Sequence, residues 1–348
     1  MAAILPSSPS GAWGPWQHRL HRQLLADPDL LPDGTSLLLA VSGGQDSLAL
    51  TRLLLELQPL HAWSLQLWHG NHGWRSDAEA NALHLQALVE QWELPLNIDV
   101  ATPPPASEAA ARRWRYGLLR QRAEQLGCPL VLTGHTGSDR AETLLFNLIR
   151  GSSPRGLASL RSKRQLGPGI TLVRPLLSFS RADTAACCAA LQLPVWHDSS
   201  NNDPRFSRNR MRQEVLPLLE QLRPGATSHI ARLAGDLEIL DGELAALEQL
   251  ALEQLLIANE QTPAAKGAGL DRQRWQALPA NLRPRLLHRW ILHCSGLSLS
   301  HGALAELCMR LSTAGSQGQL PLGQGWRLLL ERCMLTIEAP LPIAPSHQ

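Results

Sequence analysis

Short apolar runs alternate with longer amphipathic segments along the first half of the chain. The run SLLLAV at Ser36–Val41 is almost continuously apolar, which is typical of a strand buried on both faces of a sheet. The predicted strands are Ser36–Val41, Trp63–His69, Leu96–Val100 and Leu130–Gly134, and the predicted helices are Leu48–Leu57, Asp77–Glu93, Ser107–Leu126 and Asp139–Arg150. This alternation predicts an α/β domain, Rossmann-like, with a parallel sheet, helices on both faces and ligands at the carboxyl ends of the strands.

The second half of the chain has a different pattern. The Gly-, Ser- and Pro-rich stretch Gly151–Gly169 predicts a surface loop, and Ala258–Gly269 is small and polar, as in a linker. Further helices are expected at Ser180–Leu191, Arg208–Leu222, Thr227–Ile257, Asn281–Cys294 and His301–Leu311, and strands at Gln319–Leu322, Trp326–Glu331 and Met334–Ile337. We therefore expect an N-terminal helix and loop (1–34), the α/β domain (35–222), an acidic helix and linker (223–269) and a small α+β domain (270–348).

Charge is segregated along the chain although the net charge is only +2. Residues 140–212 hold twelve Arg or Lys and four Asp or Glu, whereas residues 213–260 hold two basic and nine acidic residues. A basic stretch of this size favours a polyanionic partner, and a solvated surface is the alternative. The chain has no apolar run of membrane-spanning length, no basic leader and no metal-finger spacing among its six cysteines. We expect a cytoplasmic protein without a membrane partner.

The strongest local signal is the loop SGGQDS at Ser42–Ser47, between the first strand and its helix. Two glycines allow positive φ and close approach, so that successive N–H groups at the helix start can point at phosphate oxygens. A lysine is absent, which excludes a Walker A loop. Asp46 beside a polyphosphate requires Mg²⁺ or a cationic group nearby. The alternative is that Asp46 only caps the helix.

The loop SGGQDS resembles the SGGxDS loop of the PP-loop ATP pyrophosphatases, which split ATP into AMP and pyrophosphate. The resemblance implies that ATP and Mg²⁺ are the cofactors, with Asp46 as a ligand of the metal. The implied ATP-binding residues are Ser42, Gly43, Gly44, Gln45, Asp46 and Ser47. Several enzyme families share this loop, and motifs later in the sequence distinguish between them.

Three later segments resemble the tRNA(Ile)-lysidine synthetases. They are SEAAARRWRY at 107–116, the segment at 133–157 that begins TGHTGSDRAET, and the segment at 193–219 with DSSNN followed by RNRMR. Arg112 and Arg115 lie on one face of the predicted helix. If the next helix begins by His135, then His135, Asp139 and Glu142 share a face at the carboxyl edge of the sheet. Ser138 stands where the family more often has an Asp, so the metal or lysine role is expected at Asp139.

The resemblance implies that ATP adenylates the wobble cytidine of the CAU anticodon of tRNA(Ile), after which L-lysine displaces AMP to give lysidine. Catalysis is expected from Asp46, Arg112 and Asp139; lysine or Mg²⁺ binding from His135, Asp139 and Glu142; and tRNA binding from Arg115, Arg205, Arg208 and Arg212. The alternatives are a tRNA-thiolating enzyme of the same superfamily and a non-catalytic RNA-binding protein. The oligomeric state stays open, with a homodimer as one possibility.

Overall fold

The computed structural model describes residues 13–74, 76–196, 207–257, 269–312 and 317–340. The chain divides into two compact units, Met1–Ile239 and Leu240–Gln348, and the dividing point lies within one long helix. None of the helices in the described ranges is both long and apolar enough to cross a membrane.

The first unit is built on a six-stranded sheet. Its elements are α1 (Pro15–Ala26), β1 (Ser36–Ala40), α2 (Gln45–His61), β2 (Ser64–Asn71), α3 (Ala78–Gln91), β3 (Leu96–Val100), α4 (Glu108–Leu126), β4 (Leu130–Thr133), α5 (Gly137–Ile149), α6 (Pro154–Leu157), β5 (Lys163–Gly167), β6 (Ile170–Val173), a 3₁₀ turn (Pro175–Ser178), α7 (Arg181–Ala190), α8 (Ser207–Arg210), a π-helical turn (Met211–Val215), α9 (Leu216–Leu222) and α10 (Ala226–Glu253). The strand order is β3-β2-β1-β4-β6-β5. All neighbouring pairs are parallel except β5 with β6.

Alternate residues of the central strand face opposite sides of the sheet. Leu37 and Leu39 of β1 pack in the larger core with α1, α2, α3 and α7, whereas Leu38 packs on the other side against α4. Both faces of β1 are therefore buried, as the apolar run in the sequence predicts. This confirms the predicted α/β class and its two helical layers.

The prediction of a surface loop at Gly151–Gly169 was wrong, because the segment contains α6 and β5. The edge strand β5, with sequence KRQLG, pairs with β6 alone and is largely exposed, so it carries no apolar alternation. Polar edge strands are common because charged side chains block pairing with another chain. The neighbouring strand β6 has only four residues and was also not predicted.

The second unit holds a five-stranded antiparallel sheet of order β7-β8-β11-β10-β9. Its elements are β7 (Leu256–Ile257), β8 (Gly269–Asp271), α11 (Arg272–Ala277), α12 (Arg283–Ser295), α13 (His301–Ser312), β9 (Gly318–Gly323), β10 (Trp326–Leu330) and β11 (Met334–Glu338). Trp275 and Trp290 are buried in its core. The sequence did not predict β7, β8 or α11, which have two, three and six residues.

Gly134 brings the end of β4 into contact with the start of α2. A Cβ atom at this position would lie 2.8 Å from the carbonyl oxygen of Asp46 and 2.9 Å from the amide nitrogen of Ser47. Both neighbours are backbone atoms, which cannot rotate away as a side chain would. The residue after β4 therefore has to be glycine for the two segments to approach this closely.

We expect Gly134→Ala to destabilise the first unit by about 1–3 kcal/mol, because the added methyl forces the β4 and α2 backbones apart. Hydrogen exchange of the β1 and β4 amides measures this free energy within that unit. The control is Gly117→Ala in α4, where an added Cβ meets open space, and where alanine is expected to stabilise the helix slightly. Equal protection of the β1 and β4 amides from exchange in Gly134→Ala and Gly117→Ala would contradict the prediction.

Candidate active site

The loop between β1 and α2 presents an uncapped helix start at the carboxyl edge of the sheet. Gly43 has φ +85°, and a Cβ there would lie 2.5 Å from Asn81 Oδ1. Gly44 is the N-cap of α2, and no side chain caps the helix. The alternative that Asp46 caps the helix was therefore wrong. The positive end of α2 is available to an anionic ligand.

Two serines brace this loop from within. Ser47 Oγ donates to the carbonyl of Gly44 at 2.9 Å and accepts from the amide of Ser42 at 3.2 Å. The Ser42 hydroxyl lies 3.2 Å from Ser47 Oγ and accepts from the amide of Gly44 at 3.3 Å. These contacts hold the loop in one shape, so both hydroxyls position the backbone amides of the loop.

Asp46 turns away from its own helix and contacts α7. Thr184 Oγ1 donates to Asp46 Oδ1, and a guanidinium nitrogen of Arg181 lies 3.5 Å from Oδ2. Burial raises the pKa of the Asp46 carboxyl and the nearby charge of Asp139 adds to this, while Thr184 and Arg181 lower it. Gln45 also reaches α7, donating to the Arg181 carbonyl at 2.9 Å and to Thr184 Oγ1 at 3.1 Å.

Sequence reasoning missed Arg181 and Thr184. Arg181 is the first residue of α7, where a cation opposes the helix dipole. A basic residue at this position is unfavourable unless an anion lies opposite it, and that was the signal available in the sequence. The structure supplies the anion in Asp46.

The second helix start at this edge belongs to α5. Thr136 and Asp139 form a capping box, in which Asp139 Oδ2 accepts from the Thr136 amide at 2.8 Å and from its hydroxyl at 2.9 Å. Because α5 begins at Gly137, the condition under which His135 would share a helix face with Asp139 and Glu142 is not met. Ser138 accepts a hydrogen bond from the Arg181 amide at 3.0 Å, so it joins α5 to α7.

His135 lies at the site, with Nδ1 2.8 Å from Thr133 Oγ1. Burial lowers its pKa from 6.5 to about 4; Asp139 opposes this effect, while the charges of Arg174, Arg112 and Arg208 add to it. The imidazole is neutral at neutral pH. It can therefore exchange hydrogen bonds with a ligand but carries no charge to attract one.

Arg212 is held inside the site by two acids. Its Nε lies 2.6 Å from Glu142 Oε1 and its Nη2 lies 2.9 Å from Oε2, and Nη2 is also 3.3 Å from Asp139 Oδ1. Glu142 is only 2 % exposed, and burial raises its pKa while Arg212 lowers it. Arg212 was predicted to bind tRNA, and in this structure its guanidinium pairs with a buried carboxylate.

The other predicted tRNA-binding arginines have separate environments. Arg115 donates to His72 Nε2 at 2.8 Å, and burial lowers its pKa. Arg208 in α8 is exposed. Arg205 lies outside the described residues, as do Asp198, Ser200 and Asn201 of the third motif.

Asp46, Asp139, Glu142, Arg181 and Arg212 thus converge at the carboxyl edge. Within the described ranges no three His, Cys, Asp or Glu side chains form a metal cage. This donor set fits Mg²⁺ bound to a nucleotide, because that ion usually takes one or two carboxylates and completes its shell with phosphate oxygens and water. Asp46, beside the uncapped start of α2, is the carboxylate best placed to serve it.

Residues 17–219 match the PP-loop domain family. The chain is 48 % identical over 334 residues to the tRNA(Ile)-lysidine synthase of Parasynechococcus marenigrum, covering 94 % of this chain and 96 % of that protein. It is 50 % identical over 285 residues to the tRNA(Ile)-lysidine synthase of a Synechococcus species, covering 81 % and 84 %.

Among solved structures, the U34-tRNA thiolase NcsA from Methanococcus maripaludis aligns with a TM-score of 0.54 at 18 % identity, covering 64 % of this chain and 78 % of that one. At this identity the similarity concerns the fold, and it agrees with the PP-loop architecture described above.

The environment of His135 predicts a titration far below that of an ordinary histidine. Ring NMR resonances of His135, identified by their loss in His135→Asn, should titrate with a midpoint near pH 4. The unfolded chain binds the proton near pH 6.5, so unfolding takes up a proton between these pH values. Stability should fall as pH drops through this window, by at most about 1.4 kcal/mol per pH unit. A midpoint near 6.5 would contradict the described burial.

Proposed function

The chain belongs to the tRNA(Ile)-lysidine synthase family, and from this premise we propose that it joins lysine to C2 of the wobble cytidine in the CAU anticodon of tRNA(Ile). The family assignment carries this proposal, and the geometry of the site supports it. The PP-loop domain implies ATP as the nucleotide substrate.

In the proposed first step, the C2 oxygen of the cytidine attacks the α-phosphate of ATP. A phosphorus–oxygen bond forms to the base, the bond to the β-phosphate breaks, and pyrophosphate leaves. The amides at the start of α2 face the site without a side-chain cap, so they can stabilise the charge on the leaving pyrophosphate. When bound at Asp46, Mg²⁺ would neutralise phosphate charge. Arg181, 3.5 Å from Asp46, adds a cation on the same side.

Adenylation is needed because a cytosine carbonyl is a poor electrophile, whereas AMP is a good leaving group. In the second step the lysine ε-amine attacks C2, the bond to the adenylate oxygen breaks and AMP leaves. Free lysine has a pKa of about 10.4 and arrives as an ammonium ion, so a carboxylate has to bind it and assist loss of its proton.

The geometry favours Asp139 over Glu142 for this ammonium. Both oxygens of Glu142 are held by Arg212 at 2.6 and 2.9 Å. Asp139 uses Oδ2 for the capping box, but Oδ1 has only the longer 3.3 Å contact with Arg212. We therefore assign lysine binding to Asp139 and a supporting role to the Glu142–Arg212 pair.

We propose that the wobble base approaches between α4 and α8, where Arg112 and Arg208 are exposed. A single-stranded anticodon loop allows a base to be unstacked at low cost. Arg112 is assigned to the adenylation step, and Arg115 and Arg208 to tRNA binding. The site of action is the cytoplasm.

Thiolation has little support in this chain. Burial raises the pKa of Cys187 to about 12 and that of Cys188 to about 11, so neither thiol is ionised at neutral pH. The described residues also show no Cys and His group arranged to hold a metal or a cluster. Lysidine formation is therefore preferred over sulfur transfer.

Lysidine formation is tested by nucleoside mass analysis of tRNA(Ile) incubated with the protein, ATP and lysine, together with pyrophosphate release. Asp46→Asn should lower pyrophosphate release about 10²-fold or more, in line with other single electrostatic stabilisers. The matched control is Glu79→Gln, an exposed carboxylate in the first turn of α3, which should retain the wild-type rate. Absence of lysidine with wild-type protein would reject the function, and an unchanged rate in Asp46→Asn would reject the role of Asp46.

Asp139→Asn should separate the two steps. The asparagine oxygen can still accept from Thr136, but the negative charge that attracts lysine is removed. We expect a higher KM for lysine and slower lysidine formation, while tRNA-dependent exchange of pyrophosphate into ATP continues. If exchange is lost as well, Asp139 serves ATP or Mg²⁺ and the enzyme class is unaffected.

A further inference from the structure

Three arginines surround the side chain of Tyr116 on one side of the sheet. The guanidinium carbon of Arg112, in α4, lies 4.9 Å from the centre of the Tyr116 ring, and that of Arg164, in β5, lies 4.7 Å from it. Arg174 directly follows β6, and the Tyr116 side chain raises the pKa of its guanidinium. We call Arg112, Arg164 and Arg174 the arginine cluster.

The buried member of the cluster is not satisfied by the protein. Arg174 is only 3 % exposed, one terminal nitrogen donates to the Arg161 carbonyl, and Nε has no hydrogen-bond partner. Burial lowers the pKa of Arg174, Tyr116 opposes this effect, and the charges of Arg164 and Arg112 lower the pKa further. A buried guanidinium in such surroundings is costly unless an anion compensates it.

The protein does not provide that anion in the part of the chain that the structure describes. None of the ion pairs there joins a carboxylate to Arg112, Arg164 or Arg174. Arg181 and Arg212, by contrast, each face a carboxylate. The cluster therefore combines three positive charges, a donor without an acceptor and an exposed edge at Arg164, which together favour an external anion.

We infer that the arginine cluster binds one backbone phosphate of the tRNA, an inference that rests on the function proposed above. Guanidinium groups match phosphate oxygens with paired hydrogen bonds. ATP is the less suitable source of this phosphate. The proposed ATP-binding loop follows β1, whereas Arg174 follows β6, and β4 lies between these two strands. Two strand spacings amount to about 10 Å. Arg164 lies on the edge strand, where a long polyanion can reach it.

The cluster also lies close enough to the active site to guide the substrate. Arg112 and Arg174 both act electrostatically on His135, which adjoins the start of α5. A phosphate fixed at the cluster would hold one point of the RNA backbone beside the place where the base reacts. Arg164 and Arg174 are therefore positioning residues, and Arg112 joins them to the adenylation step to which it is assigned above.

The test uses the full chain with Arg164→Ala, because this residue is exposed and its loss leaves the buried Arg174 in place. Binding of tRNA(Ile), measured without ATP or lysine, should weaken about tenfold at low salt. The slope of log K against log salt should flatten by about 0.7–0.9. The matched control is Lys163→Ala, which removes the same charge from the adjoining position, on the opposite face of β5, and should leave both quantities near wild type. The KM for ATP should not change in either variant.

A second measurement locates the phosphate. The test uses a series of anticodon stem–loops, each with one backbone phosphate replaced by a neutral methylphosphonate. At one position the replacement should weaken binding to the wild type but not binding to Arg164→Ala, because that variant already lacks the contact. If the KM for ATP rises in Arg164→Ala while tRNA affinity is unchanged, the cluster binds a nucleotide phosphate and the inference is overturned. Equal tRNA affinity and equal salt dependence in Arg164→Ala and Lys163→Ala would also overturn the inference, since the cluster would then be structural. Lysidine formation by the wild type is measured separately, so that a failure of the proposed function can be distinguished from a failure of this inference.

Discussion

The site depends on the close contact between the backbone after β4 and the backbone at the start of α2. Gly134 permits this contact because even one methyl group would overlap main-chain atoms of Asp46 and Ser47. As a result, the helices that follow the neighbouring strands β1 and β4 have their starts side by side. One start, at α2, is left uncapped for a ligand, and the other, at α5, is closed by Thr136 and Asp139. The acidic side chains converge because these two backbone segments do.

The arginines near the site fall into two groups that composition does not distinguish. Arg181 and Arg212 neutralise carboxylates inside the protein, whereas the arginine cluster has no acidic partner among the described residues. The first group keeps several acids together in a small volume at neutral pH. The arginine cluster places uncompensated positive charge near the edge of the sheet. A count of basic residues along the chain treats all of them as equivalent.

The central sheet could be predicted from the sequence because β1 and β4 are buried apolar runs, whereas β2 and β3 alternate apolar and polar residues between helical segments. The strands β5 and β6 could not, since one is polar and the other has four residues. At the site, motif spacing indicated Asp46, Asp139 and Glu142. It could not indicate Thr184 or Arg181, because their contacts with the loop span more than 130 residues. The same limitation explains Arg212, whose partner Glu142 is 70 residues away.

The polar edge strand β5 also affects how copies of this protein behave toward each other. A sheet edge presents unpaired backbone groups, and a second sheet edge is the most suitable partner for them. With Lys163 and Arg164 on opposite faces of β5, two such edges would bring four positive charges together. That repulsion opposes edge-to-edge pairing of two copies through β5.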